Sequence, residues 1–260
     1  IKEKLKISII TATLNRSSVL KDCMVSVTQQ SYNNIEHIII DGNSKDGTID
    51  LINKYKKDNV KFISEPDKGI YEALNKGIEI ATGDIIGVLH ADDTFYDDQV
   101  LEKVISVFKK EKHIDVLSGS VVFLDSKKNN TENRIIRSQI FKPWMLRFGF
   151  MPAHTATFIR KTIFEKCGVY DDTFKSAGDF DFILRLISVY KVKLFYLNKI
   201  LIRMKTGGLS TSGIQSYIRT SDEILKALKK NGVYSNYLLV LLRLPIKQIN
   251  KWIFKLRNVI

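Results

Sequence analysis

Three observations predict an α/β fold for this chain. Short β-branched runs alternate with segments of helical period through the first hundred residues. At 260 residues, 44% of them hydrophobic and 27% charged, the chain can bury one medium-sized core. Collagen-like, disordered and disulfide-scaffold compositions are excluded, because only Cys23 and Cys167 occur and no metal-type cysteine spacing exists.

The expected elements run in a regular order. Strand patterns at Ile7–Thr11, Glu36–Asp41, Val60–Ser64 and Asp84–His90 are separated by helical patterns at Val19–Gln30, Thr48–Lys57, Ile70–Ala81 and Asp97–Lys110. Strand and helix in alternation argue for a parallel sheet covered by helices. Past Val116–Leu124 the regularity fades. A polar turn is expected at Asp125–Asn133, a strand at Arg134–Ile140, an aromatic, basic cover over the site at Lys142–Phe150, a helix at Asp179–Tyr190, and two strands at Val192–Leu197 and Ile200–Lys205. The simplest partition is a catalytic domain at 1–210, with halves 1–115 and 116–210, followed by a helical basic extension at 211–260.

Charge is unevenly placed. The net charge is +13, and no acidic residue follows Glu223, so the last segment alone carries +8. From Pro245, Ile246, Ile249, Ile253, Leu256 and Ile260 recur at helical spacing beside Lys247, Lys251 and Lys255, the pattern of a C-terminal amphipathic helix lying on an anionic bilayer or packing its stripe on the domain. The longest wholly apolar run, Tyr237–Leu242, is far short of the roughly 20 residues of a spanning helix, and no leader pattern is read.

In open parallel sheets, ligands sit beyond the carboxyl ends of the strands. Those ends are polar here: Thr11, Thr13 and Asn15; Asp41-Gly42; Glu65-Pro66-Asp67; His90, Asp92 and Asp93. Two adjacent carboxylates ending a buried strand call for a cation, and carboxylate ligands suit magnesium or manganese; capping of the next helix is the other reading. Asp41 through Thr48, with two glycines, either lets a nucleotide approach the backbone or caps a helix. The same choice holds for Gly178-Asp179-Phe180-Asp181.

Six motifs in order resemble the family 2 glycosyltransferases of bacteria: Ser8-Ile-Ile-Thr-Ala-Thr-Leu-Asn-Arg16, Asp41-Gly-Asn-Ser-Lys-Asp-Gly-Thr48, Glu65-Pro-Asp-Lys-Gly-Ile-Tyr-Glu-Ala-Leu-Asn-Lys-Gly77, Ala81-Thr-Gly-Asp84, Ala91-Asp-Asp93 and Ala177-Gly-Asp-Phe-Asp181. The resemblance implies a GT-A-like, Rossmann-type nucleotide-binding sheet joined to a mixed-strand acceptor half. It implies inverting transfer from a nucleotide-diphosphate sugar, a UDP-sugar in the first place. By the same resemblance, the Thr11–Thr13 backbone and Asp41 hold the base, Asp67 lies near the nucleotide, Asp92 faces ribose or donor sugar, Asp93 coordinates Mn2+ or Mg2+, and Asp179 is the catalytic base. His154 and Arg203 are candidates for contact with acceptor or diphosphate, and Gly207–Ser210 for a lid. Two departures stand out. Gly178 replaces the first member of the usual acidic pair, and Leu74 stands where many relatives carry an arginine.

The resemblance further implies a glycan or polyprenyl-diphosphate-linked acceptor and a peripheral position at the inner face of the cell membrane. Two other classes are weighed. A dinucleotide oxidoreductase lacks its glycine fingerprint after the first strand. A nucleic-acid-binding or other basic nucleotide-binding protein without transferase activity would use the charge, but no recognised nucleic-acid motif is present.

Overall fold

The structure, a computed structural model, describes residues 4–125, 131–205, 213–243 and 246. Four parallel strands in the order β3-β2-β1-β4 open it: β1 (Ile7–Thr13), β2 (Ile35–Asp41), β3 (Val60–Ser64) and β4 (Ile85–Val88). Helices α1 (Leu20–Thr28), α2 (Thr48–Tyr55) and α3 (Ile70–Ile80) return the chain between them. Both faces of the sheet are covered, which explains why its strands are isoleucine runs rather than polar alternations. Ile7, Ile9 and Ile39 pack with α1, α2 and α4 (Val100–Lys110), whereas Ile10, Ile38 and Ile40 pack with α3 on the opposite side.

The Ala81-Thr-Gly-Asp84 motif has a structural role. Burial alone would raise the Glu36 carboxyl, but hydrogen bonds from Ser8, the Thr82 backbone, Lys61 and Lys6 hold it down at about 2. A side chain at Gly83 would meet the Ser8 backbone nitrogen at 2.6 Å, so only glycine lets this turn close on β1. A buried carboxylate with this many donors is stable where a lone one would not be.

Beyond β4 the sheet becomes mixed. Its order continues β8-β6-β9-β5, with β7 on β6; the strands are β5 (Thr94–Phe95), β6 (Val116–Asp125), β7 (Thr131–Ile136), β8 (Thr157–Arg160) and β9 (Leu194–Lys205). β8 runs antiparallel to both β4 and β6, while β9 is parallel to β6. Helices α5 (Lys161–Cys167), α6 (Gly178–Leu184), α7 (Gly213–Lys230) and α8 (Tyr237–Leu241) complete the chain.

Several sequence expectations change here. The two late strands are one: β9 pairs with β6 on both sides of Asn198-Lys199, and irregular register around Ser118–Val121 absorbs the polar pair. The strand expected at Arg134–Ile140 starts earlier, and Ser138–Ile140 is a helical turn fixed by donation from the Ser138 backbone to Ser120 Oγ. The Asp179–Tyr190 helix divides into α6 and a wider turn at Arg185–Val189. The Lys142–Phe150 cover includes a helical turn, Pro143–Phe148, that packs against α8. Ile224, Ala227 and Leu228 of α7 and Val240 of α8 share one hydrophobic cluster with Ile10 and Ile38. The apolar stripe expected after Pro245 lies, apart from Ile246, outside the described residues. Among the described residues, no helix is long and apolar enough to cross a membrane.

His37, under α1, shares a 2.9 Å hydrogen bond with Thr11 Oγ1, and burial lowers its pKa to about 3; burial lowers that of His154 to about 4. The unfolded chain therefore binds protons below about pH 6.5 that the native state refuses, and stability is lost as pH falls from there toward the folded values. Chemical denaturation at pH 5 should show a loss of roughly 2 kcal/mol per buried histidine relative to pH 7. In His37→Asn that loss should shrink by one histidine's share; an unchanged loss would remove His37 from the account.

Candidate active site

The carboxyl ends of β1, β2 and β3 converge. Thr13 stands opposite Asp41 in the parallel register, and its buried hydroxyl has no partner among the described residues. The Thr11 side chain points away from this end, into the core between His37 and Cys23. Asp41 is fully buried and both its oxygens are engaged, by the Ser44 backbone and hydroxyl and by Ser64 Oγ at 2.7 Å. Its carboxylate thus shapes the loop that follows β2. Asp46 accepts from the Thr48 backbone at 3.0 Å and from its hydroxyl, bracing the turn that leads into α2. A Cβ at Gly42 would lie 2.6 Å from Asp67 Oδ2, so this glycine lets the Asp41 and Asp67 loops meet. Burial raises the Asp67 carboxyl.

Past β4 the chain turns at His90–Asp93. Asp93 is only 2% exposed, and its Oδ2 has no hydrogen-bond partner among the described residues. Burial raises its pKa well above the ordinary carboxylate range, and the neighbouring Asp92 charge adds to this, while Lys205 opposes it. Lys205, at the end of β9, also pairs with Asp22 at 3.1 Å. An orphaned buried carboxylate oxygen beside a second carboxylate is a poor arrangement for the protein alone and a good one for a hard cation. Among the described residues, no group of three or more His, Cys, Asp or Glu side chains could hold an ion unaided.

Asp179 stands in the first turn of α6. Its Oδ1 accepts from the Phe180 backbone at 2.8 Å and from Tyr71 Oη at 3.3 Å, and burial raises its carboxyl. His90 feels the charges of both Asp92 and Asp179, so both carboxylates lie within electrostatic reach of one imidazole. The His90 ring lies 5.7 Å from that of His154, whose Nε2 shares a 2.7 Å hydrogen bond with Tyr170 Oη. The second His154 nitrogen has no partner among the described residues. Arg203 pairs with Thr94, the residue after Asp93, and its guanidinium lies 4.3 Å over the Tyr96 ring. A cavity of about 300 Å³ opens there too, lined by Tyr96, Lys103, Arg137 and Lys199 among others, and none of the carboxylates above lines it. The proposed lid, Gly207–Ser210, lies outside the described residues.

Tyr71 explains the missing acid at position 178. A Cβ on Gly178 would fall 2.8–2.9 Å from three carbons of the Tyr71 ring. The phenol therefore fills the space into which a side chain at 178 would project, and it reaches Asp179 instead. Gly69, at φ +147°, makes the turn that places Tyr71 in the first turn of α3. The loop before α6 is held by a residue of α7: Glu223 accepts from the backbones of Lys175, Ser176 and Ala177 at 2.7–3.0 Å. Neither Tyr71 nor Glu223 is singled out by the sequence reading. Tyr71 lies inside a quoted motif, but Glu223 carries no local signal at all.

A parallel nucleotide-binding half, a mixed second half and an acidic pair after β4 together define the GT-A class of nucleotide-sugar transferases. The family described as Glycosyl transferase family 2 matches residues 8–168. A PGL/p-HBAD biosynthesis glycosyltransferase of Mycobacterium bovis is 29% identical over 216 residues, 79% of either chain. An uncharacterized glycosyltransferase of Mycobacterium tuberculosis is 32% identical over 69% of this chain and 68% of its own. Among solved structures, Staphylococcus aureus TarS 1–349 in complex with UDP-GlcNAc has a TM-score of 0.68 at 17% identity, covering 86% of this chain and 66% of that one. A Pyrobaculum calidifontis mannosyltransferase in complex with GDP-Man and Mn2+ has a TM-score of 0.66 at 14% identity over 88% and 64%. The chain thus spans about two thirds of the length of these solved structures. It belongs to glycosyl transferase family 2 and is a glycosyltransferase.

Gly178→Ala should push the Tyr71 ring aside at a cost of about 1–3 kcal/mol, the usual penalty for overpacking. Urea denaturation of the variant checks this, and wild-type stability would mean that the ring moves freely.

Proposed function

We propose that the chain is an inverting, metal-dependent transferase that moves a sugar from a nucleotide-diphosphate donor, a UDP-sugar in the first place, to a hydroxyl of a glycan or lipid-linked glycan intermediate. The observation that carries this reading is the arrangement about His90. Asp92, next to the Asp93 oxygen that lacks a partner among the described residues, and Asp179 both act electrostatically on this one imidazole, which supports a common site for the acidic groups that a single displacement uses. The UDP-GlcNAc and GDP-Man of the two solved neighbours, and the Mn2+ of one, support it.

In this reading, the backbone of β1 at Thr11–Thr13 and the loops shaped by Asp41 and Asp67 seat the nucleotide. Asp92 faces ribose or donor sugar, and Asp93 would hold a divalent cation with Asp92 beside it. Such an ion, when bound, supplies positive charge to a departing diphosphate. Lys205 adds a fixed cation next to Asp93. Across the sugar, Asp179 accepts the proton of the attacking hydroxyl; burial raises its carboxyl, which makes it a better base than an exposed aspartate. Tyr71 donates to Oδ1 of Asp179 and leaves Oδ2 to the acceptor, with His154 and Tyr170 lining the same side. Arg203, on the β5 side, is left for the diphosphate or a more distant part of the acceptor. An anionic inner membrane face is the setting that suits the charge of the chain.

Asp179→Asn should lower transfer by 10²-fold or more while donor affinity, read by calorimetry, stays within a few-fold. Loss of donor affinity instead would remove Asp179 as the base. Asp93→Asn should abolish the dependence of UDP binding on Mn2+, and a retained dependence would move the ion elsewhere. Since burial raises the Asp179 carboxyl, the acid limb of kcat/KM should lie above the ordinary carboxylate range. It should move further up in Tyr71→Phe, which lacks the donor that favours the ionised form. A limb unmoved by that change would leave Tyr71 with packing alone.

A further inference from the structure

We propose that the chain docks on an anionic lipid bilayer through a composite face built from the Pro143–Phe148 turn and helix α8. The inference deepens the proposed function, resting on it only for the statement that an acceptor is presented at this face. Trp144, Tyr234 and Leu238 are 62%, 69% and 71% exposed, and Tyr237, Leu241 and Leu242 add further apolar surface. No described residue covers them.

These side chains are displayed on a fixed platform. Arg147 donates from Nε to the Tyr234 carbonyl at 2.9 Å, its guanidinium lies 5.5 Å over the Tyr234 ring, and Ser235 donates back to the Arg147 carbonyl. Asn236 caps α8 by accepting from the Leu239 backbone, and Val240 is buried beneath it. The buried Arg243 donates to Tyr217 Oη and Ser221 Oγ, which fastens the end of α8 to α7.

The charge pattern identifies the partner. Residues 133–164 and 224–243, the described segments that supply the face, contain no Asp or Glu, whereas each carries several Lys and Arg. A second copy docked by two-fold symmetry would set these like-charged segments against each other. An anionic bilayer complements them, and tryptophan and tyrosine are the side chains that favour the headgroup boundary. The face is also tied to the catalytic side. α7 holds the loop before α6 through Glu223 and contacts Asp181 through the 2.9 Å bond from Asn231. A docked α7–α8 unit therefore brings the helix that opens with Asp179 toward the membrane, where a lipid-linked hydroxyl would be.

The test is flotation of the full chain with phosphatidylcholine vesicles, with and without one quarter phosphatidylglycerol, for wild type and Trp144→Ser/Leu238→Ser. Wild type should float with the anionic vesicles, release in 0.5 M salt and stay behind with neutral ones, and the double variant should lose at least tenfold in binding. The single Leu238→Ser serves if the double variant does not fold. Equal flotation of variant and wild type, equal binding to neutral vesicles, or a dimer by light scattering that the variant abolishes would overturn the proposal. A UDP-induced thermal shift and Asp179→Asn flotation, both expected at wild-type level, separate failure of the docking face from failure of the catalytic reading.

Discussion

The arrangement of the site follows from negative charge buried where strands end. Asp93 is nearly inaccessible and has one oxygen unpartnered, yet Asp92 stands next to it and Lys205 is the cation that opposes its raised pKa. A folded protein rarely leaves a carboxylate in that condition without a ligand to complete it. The contrast with Glu36 and Asp41 is instructive. Both are just as buried, but each is surrounded by donors, and each performs a structural task. Glu36 and Asp41, fully partnered, brace the sheet and the loop after β2, whereas Asp93 keeps one oxygen without a partner among the described residues.

A second constraint is steric. The exchange of an acidic residue for Gly178 looks like a loss in the sequence, because a charge next to the base has gone. In the structure it is a substitution of one neighbour for another, since the Tyr71 ring occupies the vacated space and its hydroxyl reaches Asp179. Asp179 is then held from three directions: by Tyr71 of α3, by the Phe180 backbone of its own helix, and at one remove by Glu223 of α7. Those groups come from residues 71, 180 and 223, so the geometry of one carboxylate depends on the whole core.

Much of the first half was legible because its signals are local. Isoleucine runs bounded by glycine and aspartate set β1 to β4, and the helical periods between them set α1 to α4, each readable within a window of a dozen residues. The second half was less so for physical reasons. The four residues of β8 lie in a sequence with no alternation because both their neighbours are antiparallel and both faces are covered. β9 contains Asn198-Lys199, which reads as a turn unless the irregular register of β6 is known. Arg203 is a candidate for acceptor or diphosphate from its place in the chain, and only the structure shows its guanidinium over the Tyr96 ring.

The sequence by itself determined the family, the parallel half of the sheet, the polar strand ends and the surplus of positive charge, because motif order, hydrophobic period and composition are properties of the chain that need no contacts. Only the tertiary structure decided which of the buried acids are fully partnered, that the Tyr71 ring fills the space beside Gly178 and reaches Asp179, and that α7 and α8 belong to the same core as β1. Those outcomes depend on which groups meet across distances of 30 to 150 residues, and a linear pattern carries no record of such meetings.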